Sequence, residues 1–379
     1  MRLFENLHVD FLGKRKFFYL LSGGLLLLGL INILFRGLHF GIDFKGGTEI
    51  TLAFENPVDI HKVRLYTDNL GLGEVELKSF GGEKGILIRT ELQEIPKEII
   101  PKIAAAIDST INNSFSGLSR STIEITENSV TYQLQNKDTI ESVINYLFNN
   151  GFQASRVVED SSNSRIFVRF GISEWIKENL KEKIPDNKFQ VLKEDRIGPK
   201  VGKELKTNAV IAVFFSLIGI LIYLAFRFKF IFAFGAVFAL FHDVLITLGL
   251  YATLYGLIPG LNLDITITVI SAFLTLIGYS VMDTVVVFDR VREYFKIYKT
   301  LDIQEAMNRA INRTMSRTVL TGGTTLLAVF VLLIFGGEVL RAFSFTMFFG
   351  ILTGTYSSVF IACAIVLDYT KKSKKKIEF

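Results

Sequence analysis

The sequence predicts a polytopic α-helical membrane protein with six transmembrane helices and an exported α+β domain of ferredoxin-like type after the first helix. Half of the 379 residues are hydrophobic, and six apolar stretches each approach the roughly 20 residues that a membrane-spanning helix needs. The first two stretches are separated by the polar segment 36–207, whose short alternating runs are typical of strands and amphipathic helices. The predicted spans are 17–35, 208–226, 230–254, 264–288, 319–335 and 342–367.

The first span is predicted to be an uncleaved signal anchor. Lys14, Arg15 and Lys16 precede it, as basic residues precede a signal peptide. Its apolar stretch is too long for a typical signal peptide, however, and no Ala-x-Ala-like cleavage site follows.

Basic residues are concentrated on one side of the predicted spans. The N-terminus 1–16, the loop 289–318 and the tail 368–379 are rich in Lys and Arg, whereas the connection 255–263 has neither. The positive-inside rule therefore places both termini in the cytoplasm and 36–207 across the membrane. This distribution accounts for the net charge of +5 without a nucleic acid partner. The tail is expected to contact anionic lipids or the ribosome, or to serve only as a stop-transfer anchor.

The exported domain is predicted to contain two copies of a βαββα unit, at about 48–113 and 128–183. A shift of 80 residues aligns their apolar positions without gaps, and it places Gly71 and Gly151 where a glycine often ends a helix. The segment 114–122 has the composition of a linker between the copies. Chance similarity between two short βαββ segments is the alternative.

The motifs of catalysis are missing from the sequence. We find no metal-ligand cluster, no Ser–His–Asp arrangement and no phosphate-binding loop of the form GxxxxGK[ST]. Cys363 is the only cysteine, so no disulfide can form within one chain. The sequence therefore predicts a protein that is not an enzyme and needs no cofactor beyond a coupling ion.

Asp283 lies inside the fourth predicted span, about 10 Å from its midpoint. Because an ionisable group in hydrocarbon is strongly disfavoured, such residues usually line ion pathways. We predict that Asp283 is an ion-coupling residue, with a structural polar group as the alternative. Asp289 and Arg290 fall at the end of the same span, where water can solvate them, and they could relay protons or fix helix packing.

Arg317 stands where an amphipathic helix, 303–318, enters the fifth span. It could pair with Asp283, since apposed opposite charges stabilise each other, and protonation of the carboxylate would dissolve the pair. The alternative is that Arg317 only anchors the span by the positive-inside rule.

Further polar residues lie at membrane depth. His242 and Asp243, in the third span, could relay protons or fix helix packing. Thr321 and Thr324 open the fifth span, and small residues recur in the sixth; we interpret both sets as helix-packing positions that could also line a water path. The small residues of the sixth span are Gly350, Gly354, Ser357 and Ser358.

Several segments together resemble the SecD/SecF family. The segment FGIDFKGGTE, with Gly41, Asp43, Gly46 and Gly47, resembles the glycine-bearing signature that follows the first span in this family. The segments that resemble other family motifs are IGPKVG at 197–202, with Gly198 and Pro199, and, from the SecF branch, FHDV at 241–244, GYSVMDTVVVFDR at 278–290 and SRTVLT at 316–321.

The resemblance implies one half of a transporter of the RND superfamily, located in the bacterial inner membrane with its large domain in the periplasm. SecD would supply the other half, and the pair would use a proton or sodium gradient to complete preprotein export through SecYEG. YajC, YidC and the unfolded preprotein are further implied partners. By motif, Asp283 matches the intramembrane carboxylate of ion coupling, and Arg317 matches the arginine tied to it.

Two departures from the family pattern are visible. Met282 stands where members often carry Asn, and the exported domain is larger than the single small domain expected of the SecF branch. Two rival functions remain: a small-molecule or lipid exporter of the RND superfamily, and a scaffold that stabilises its neighbours without coupling.

Overall fold

The computed structural model describes residues 7–149, 152–157, 164–258, 261–298 and 300–373. The chain forms two compact units. The helical unit comprises Met1–Gly41 and Leu205–Phe379, and the polar domain comprises Ile42–Glu204.

Helices dominate the chain. In order they are α1 (Arg15–Arg36), α2 (Ile42–Lys45), α3 (Ile60–Asp68), α4 (Ile100–Ser114), α5 (Ile140–Asn149), α6 (Ile172–Lys183), α7 (Pro199–Arg227), α8 (Phe230–Leu254), α9 (Ile267–Ile297), α10 (Ile303–Phe335), α11 (Gly337–Ser357) and α12 (Cys363–Ser373). A π turn, Ser358–Ala362, joins α11 to α12 without a break. The strands are β1 (Gly47–Phe54), β2 (Val75–Ser79), β3 (Gly85–Thr90), β4 (Arg120–Ile125), β5 (Ser129–Leu134), β6 (Gln153–Arg156), β7 (Arg165–Arg169) and β8 (Phe189–Ile197).

Six helices of the described chain are long and apolar enough to cross a membrane, which confirms the predicted number. They are α1, α7, α8, α9, α10 and the continuous α11–α12. Only α8 has the predicted bounds. The helix α7 begins much earlier than expected, at Pro199, because proline suits a first turn whose N–H groups have no partner within the helix. The amphipathic segment 303–318 and the fifth span form one helix, α10.

Small residues set the closest helix contacts in the helical unit. A Cβ atom added at Gly249 of α8 would lie 2.7 Å from the Cα of Gly29 in α1, so the two backbones touch. A Cβ at Gly354 of α11 would lie 3.0 Å from the side chain of Ser280 in α9. Apolar side chains supply no net hydrophobic force between helices in lipid, so such close packing and hydrogen bonds hold them together.

The polar domain contains two four-stranded antiparallel sheets, with strand orders β2-β3-β1-β8 and β6-β7-β5-β4. Each sheet takes three strands from one strand–helix–strand–strand run, and its fourth strand comes from the other half of the domain. β4 follows α4 yet pairs with β5, whereas β8 follows α6 yet pairs with β1. One apolar core is shared by the two sheets and their helices.

The fourth strand of each sheet, β8 or β4, was not part of the expected arrangement. The predicted linker 114–122 contains the first residues of β4, and β8 lies beyond the second predicted unit. Both strands expose most of their side chains, so they lack the alternation that marked the other strands.

The duplication remains a prediction, but the register agrees with it. The shift of 80 residues carries the β1–β3 pair Glu49 and Arg89 onto Ser129 and Arg169, which are partners in β5 and β7. Gly71 has the positive φ expected after a helix, +72°, and Gly151 lies outside the described residues.

Candidate functional site

Asp283 is held by hydroxyl groups from two other helices. Its side chain leaves α9 on the same side as that of the buried Ser280, three residues before it. Thr318 Oγ1 of α10 donates a hydrogen bond to Oδ1 over 2.8 Å, and Ser358 Oγ of the π turn donates to Oδ2 over 2.9 Å. The carboxylate thus joins three membrane helices.

A second carboxylate, Asp243, is buried in the same region. Asp243 is 1% exposed, and its Oδ2 accepts hydrogen bonds from Ser280 Oγ at 2.7 Å and Ser357 Oγ at 2.8 Å. Its Oδ1 lies 3.0 Å from Nδ1 of His242, the preceding residue in α8. A buried carboxylate is tolerated when its lone pairs are satisfied in this way.

Adjacent serines connect the two carboxylates. Ser357 contacts Asp243 and Ser358 contacts Asp283, and each serine hydroxyl has a second acceptor within its own helix. For Ser357 that acceptor is the carbonyl of Gly354 at 3.2 Å, and for Ser358 it is the carbonyl of Thr355 at 2.9 Å. A hydroxyl carries one hydrogen, so each serine can turn between a carboxylate and a carbonyl.

The π turn that starts at Ser358 belongs to this arrangement. Such turns insert an extra residue into an α-helix and occur often at functional sites. Here the turn begins at the second of the two serines, Ser358, and ends directly before the buried Cys363.

The chain of hydrogen bonds extends from His242 to α1. Nε2 of His242 lies 3.0 Å from Ser22 Oγ, which lies 2.5 Å from the hydroxyl of Tyr356. That hydroxyl also reaches the carbonyl of Phe18 at 2.9 Å.

Two hydrogen arrangements satisfy this chain. In one, Tyr356 donates to Ser22, Ser22 donates to Nε2 of His242, and Nδ1–H donates to Asp243. In the other, Tyr356 donates to the Phe18 carbonyl, Ser22 donates to Tyr356, Nε2–H donates to Ser22, and a further proton lies between Nδ1 and Asp243. The second arrangement holds one more proton with every heavy atom in place.

Arg317 does not form the predicted ion pair with Asp283. In α10 the neighbouring residue Thr318 takes the inward position and contacts the carboxylate, while Arg317 is exposed and forms no ion pair within the described chain. Successive helical residues project about 100° apart, which explains why one side chain is inside and the next is not. Arg317 remains near enough to Asp283 for an electrostatic interaction.

Asp289 and Arg290 are bound elsewhere. Asp289 accepts hydrogen bonds from Arg227 Nη2 at 2.9 and 3.1 Å, which ties α9 to the end of α7. Arg290 pairs with Glu293 one turn later in its own helix, at 2.5 Å. A relay or packing role for these two residues stays a prediction.

The hydroxyls of the threonines that open the fifth span form hydrogen bonds within their own helix, and their packing role stays a prediction. The hydroxyls of Thr321 and Thr324 donate to carbonyls of their own helix, those of Arg317 and Leu320. The carbonyl of Thr321 accepts from Tyr279 of α9 at 3.0 Å, which links the two spans.

The glycines of the first signature form a backbone hydrogen bond and adopt backbone angles that favour glycine. Gly41 donates its N–H to the carbonyl of Ile265 at 2.9 Å. Asp43 lies in α2, and Gly46 and Gly47 follow with φ of +79° and +119°, values that side chains other than glycine rarely adopt.

The second signature packs against the first. A Cβ atom at Gly46 would lie 3.0 Å from the Cα of Pro199, the first residue of α7, and the carbonyl of Gly198 accepts the N–H of Gly202 at 2.9 Å. A glycine at position 46 is therefore needed where the backbone of the first signature approaches that of the second.

Several residues of the hydrogen-bonded network around Asp283, Asp243 and His242 were not predicted from the sequence. Ser357 and Ser358 were interpreted as packing residues, and Ser22, Ser280 and Tyr356 were given no role. The available signal was the recurrence of hydroxyl residues at positions 280, 284 and 357–358, within otherwise apolar helices.

The chain matches two models of one family. Residues 176–372 match the model described as protein export membrane protein SecD/SecF, C-terminal, and residues 31–58 match the SecD/SecF GG motif. The second match includes Gly46 and Gly47, and the first includes both carboxylates.

Similar proteins include protein translocase subunits SecF from three organisms. The subunit of Rhodothermus marinus is 37% identical over 369 residues, 97% of this chain and 95% of that protein. For Calditerrivibrio nitroreducens the identity is 36%, over 97% of this chain and 96% of that protein. For Rickettsia rickettsii it is 33%, over 100% and 98%. These alignments span both sheets, so the large polar domain is not peculiar to this chain.

Two solved structures of SecDF resemble the fold. The crystal structure of SecDF from Thermus thermophilus, described as a translocon-associated membrane protein, is 28% identical with a TM-score of 0.67. It covers 98% of this chain, which spans 40% of the SecDF chain. A super-membrane-facing form of SecDF is 29% identical with a TM-score of 0.57, again over 40% of its length. The chain therefore belongs to the SecD/SecF family of protein export membrane proteins, among its SecF subunits.

Proposed function

We propose that this chain pairs with a SecD subunit and couples an ion gradient, of protons or of sodium, to the movement of unfolded preprotein through a SecYEG channel. The observation that carries the proposal is the position of Asp283, an ionisable group at membrane depth held by hydroxyls of two other helices. Family membership supports the export role, and the two hydrogen-bonded carboxylates support the coupling role.

The coupling step follows from the hydrogen bonds of Ser358. An ionised Asp283 accepts from both Thr318 and Ser358, as in this structure. A protonated Asp283 would instead donate from Oδ2 to Ser358 Oγ, and Ser358 would turn to the carbonyl of Thr355. Proton binding thus reverses a bond between α9 and the π turn.

Such a reversal can select between two shapes of the helical unit. A difference of about 3 kcal/mol between two conformations changes their ratio by roughly a hundredfold. Arg317, which acts on Asp283 by its charge, would favour the ionised state and move when the charge disappears.

Asp243 and His242 would serve as a second proton-holding position. Their chain through Ser22 to Tyr356 accommodates one added proton, and Ser357 beside Ser358 connects them with Asp283. We propose that the polar domain lies on the periplasmic side, contacts the emerging preprotein and moves with the helical unit.

The test replaces Asp283 by Asn, which keeps the size of the side chain and removes its ionisation. We expect export driven by the ion gradient to stop, while the protein stays in the membrane at normal levels. The measurement is the rate of precursor export into membrane vesicles, with and without an ionophore that abolishes the gradient.

The matched control is Asp289→Asn, the same change six residues later in the same helix. Asp289 is bound to Arg227 at an exposed position, so we expect little loss of export. If Asp283→Asn exports at the normal rate while deletion of the chain does not, the chain is a scaffold and the coupling role is refuted.

A further inference from the structure

The first turn of α6, in the polar domain, is buried without a cap. Gly171 precedes the helix, and no side chain accepts a hydrogen bond from its first N–H groups. Those of Ile172 and Ser173 have no acceptor within the described chain, although the two residues are only 1% and 2% exposed. The first N–H groups of an α-helix have no partner inside the helix, so a buried start normally receives an acceptor from elsewhere.

A hydroxyl in the same turn also has no partner. Ser173 Oγ is enclosed by the protein and forms no hydrogen bond with any described residue. Burial of a hydroxyl without a partner destabilises a protein, so such an atom points to a ligand or a water molecule at the site.

A cavity of about 170 Å³ opens at the start of α6. Gly171 and Ser173 line it together with two arginines, Arg169 at the end of β7 and Arg196 in β8. A second cavity, of about 270 Å³, shares Gly171 and Arg196 with the first, so the two form one continuous groove. We refer to it as the α6 groove.

Both arginines lack a carboxylate partner within the described residues. Arg169 is exposed and forms no ion pair, and the guanidinium of Arg196 donates to a backbone carbonyl. The glutamates that line the first cavity, Glu174 and Glu194, lie 3.5 and 3.6 Å from Nζ of Lys177. Two guanidinium groups and one ammonium group thus face two carboxylates, and the helix N-terminus adds a partial positive charge.

The donors at the start of α6 suit a carboxylate. Uncapped helix N–H groups, a free hydroxyl and guanidinium groups all donate to carboxylate oxygens, and the bonds are strengthened by charge. The second cavity is lined by Glu94 and Glu127, so it does not favour an anion. A ligand that fills the groove therefore carries its negative charge at the arginine end and continues as a neutral or basic chain.

We propose that the α6 groove binds an acidic side chain of an unfolded preprotein. The carboxylate lies at the start of α6, and the peptide backbone follows the second cavity. That the polypeptide is a preprotein rests on the proposed function, in which the polar domain contacts the emerging chain. Binding of a carboxylate at Ser173 and Arg169 does not depend on ion coupling at Asp283.

The test titrates the full chain with two short fluorescent peptides that differ only in a central Glu or Gln. Their ends are acetylated and amidated, so no terminal carboxylate is present. We expect the Glu peptide to bind about tenfold more tightly, because its carboxylate forms charge-assisted hydrogen bonds. The measurement is fluorescence anisotropy. Emission of Trp175, the only tryptophan, locates the binding, since its N–H donates to the carbonyl of Gly171 at 3.0 Å.

Two variants remove single donors of the groove. Ser173→Ala and Arg169→Gln should each weaken binding of the Glu peptide by about tenfold and leave the Gln peptide unaffected. The matched control is Arg64→Gln, which removes the same charge from an exposed position in α3 and should bind as the unchanged chain does. Because Ser173 Oγ has no partner in the described chain, Ser173→Ala should melt no lower than the unchanged chain.

Equal binding of the Glu peptide by both variants and the unchanged chain would overturn the proposal, since the groove would then hold water only. Equal weakening in Arg64→Gln would also overturn it, because the effect would then be one of general charge. Either result leaves the export rate of Asp283→Asn, which tests the proposed function, unaffected.

Two further arms identify the source of the carboxylate. Acetate should displace the Glu peptide only at concentrations far above that of the peptide, because it makes no contact along the second cavity. Displacement at equal concentration would overturn the peptide assignment. Binding should persist in the complex with SecD; its loss there would overturn the preprotein assignment, because that subunit would then cover the groove.

Discussion

The contact between Gly29 and Gly249 allows a quantitative prediction about the first span. A Cβ atom added at Gly249 would lie 2.7 Å from the Cα of Gly29, whereas two carbon atoms pack at about 3.5–4.0 Å. Both partners are backbone atoms, so no side chain can rotate away, and α1 must separate from α8 by about 1 Å. We expect Gly249→Ala to destabilise the helical unit by about 1–3 kcal/mol.

The same separation reaches the hydrogen-bonded chain. Ser22 and His242 lie seven residues before the two glycines, on the same faces of α1 and α8. Their 3.0 Å contact would lengthen by up to about 1 Å, beyond hydrogen-bonding distance. The imidazole nitrogen resonances of His242 in Gly249→Ala should therefore show loss of the bond at Nε2.

The assay is thermal unfolding of the purified full chain, combined with nitrogen NMR of labelled histidine. Gly24→Ala is the matched control, since a Cβ atom at Gly24 in α1 meets no atom within 4 Å. Equal stability of Gly249→Ala and Gly24→Ala, with unchanged His242 resonances, would refute the contact between the helices.

The polar domain yields two further predictions. Burial opposes ionisation of Glu76, but the charges of Lys78 and Arg89 outweigh it and hold the pKa of Glu76 below its usual value. Its ionised form therefore stabilises the domain above the pKa of the unfolded chain, near 4.5, and this stability is lost as pH falls through the lower folded pKa. Pulse proteolysis in urea should show that the free energy of unfolding falls by less than about 1 kcal/mol as the pH drops below the folded pKa of Glu76. The fall should be smaller in Glu76→Gln, and an equal fall in both proteins would contradict this assignment. Gly47→Ala should destabilise the domain by about 2 kcal/mol or more, because φ is +119° and a Cβ atom would meet the carbonyl of Thr90. The control Gly117→Ala, with open space around the added atom, should have little effect in the same assay, and equal effects would contradict the reasoning.

Hydropathy was sufficient to predict the six spans because membrane insertion depends on local composition. The pairing of β8 with β1 and of β4 with β5 in the polar domain could not be predicted in this way. The partners β1 and β8 are separated by more than a hundred residues, and nothing in the composition of 114–122 distinguishes a linker from an exposed edge strand.

The residues of the candidate site could also be predicted only in part. Asp283, His242 and Asp243 could be found from the sequence, since a charged or titratable residue within an apolar span is conspicuous by itself. Their hydroxyl partners could not, because contact with Ser357 or Ser358 depends on the rotation of α11 and on the π turn. The predicted ion pair of Asp283 with Arg317 is absent for the same reason. The rotation of α10 about its axis decides whether Arg317 or Thr318 faces the carboxylate.

Infrared difference spectroscopy of the full chain in lipid, between acidic and neutral pH, tests whether proton binding at Asp283 reverses its hydrogen bond with Ser358. We expect a protonated-carboxyl band that disappears in Asp283→Asn, persists in Asp289→Asn and shifts in Ser358→Ala. A spectrum that is unchanged in Asp283→Asn, or a band that does not respond to Ser358→Ala, would contradict the claim.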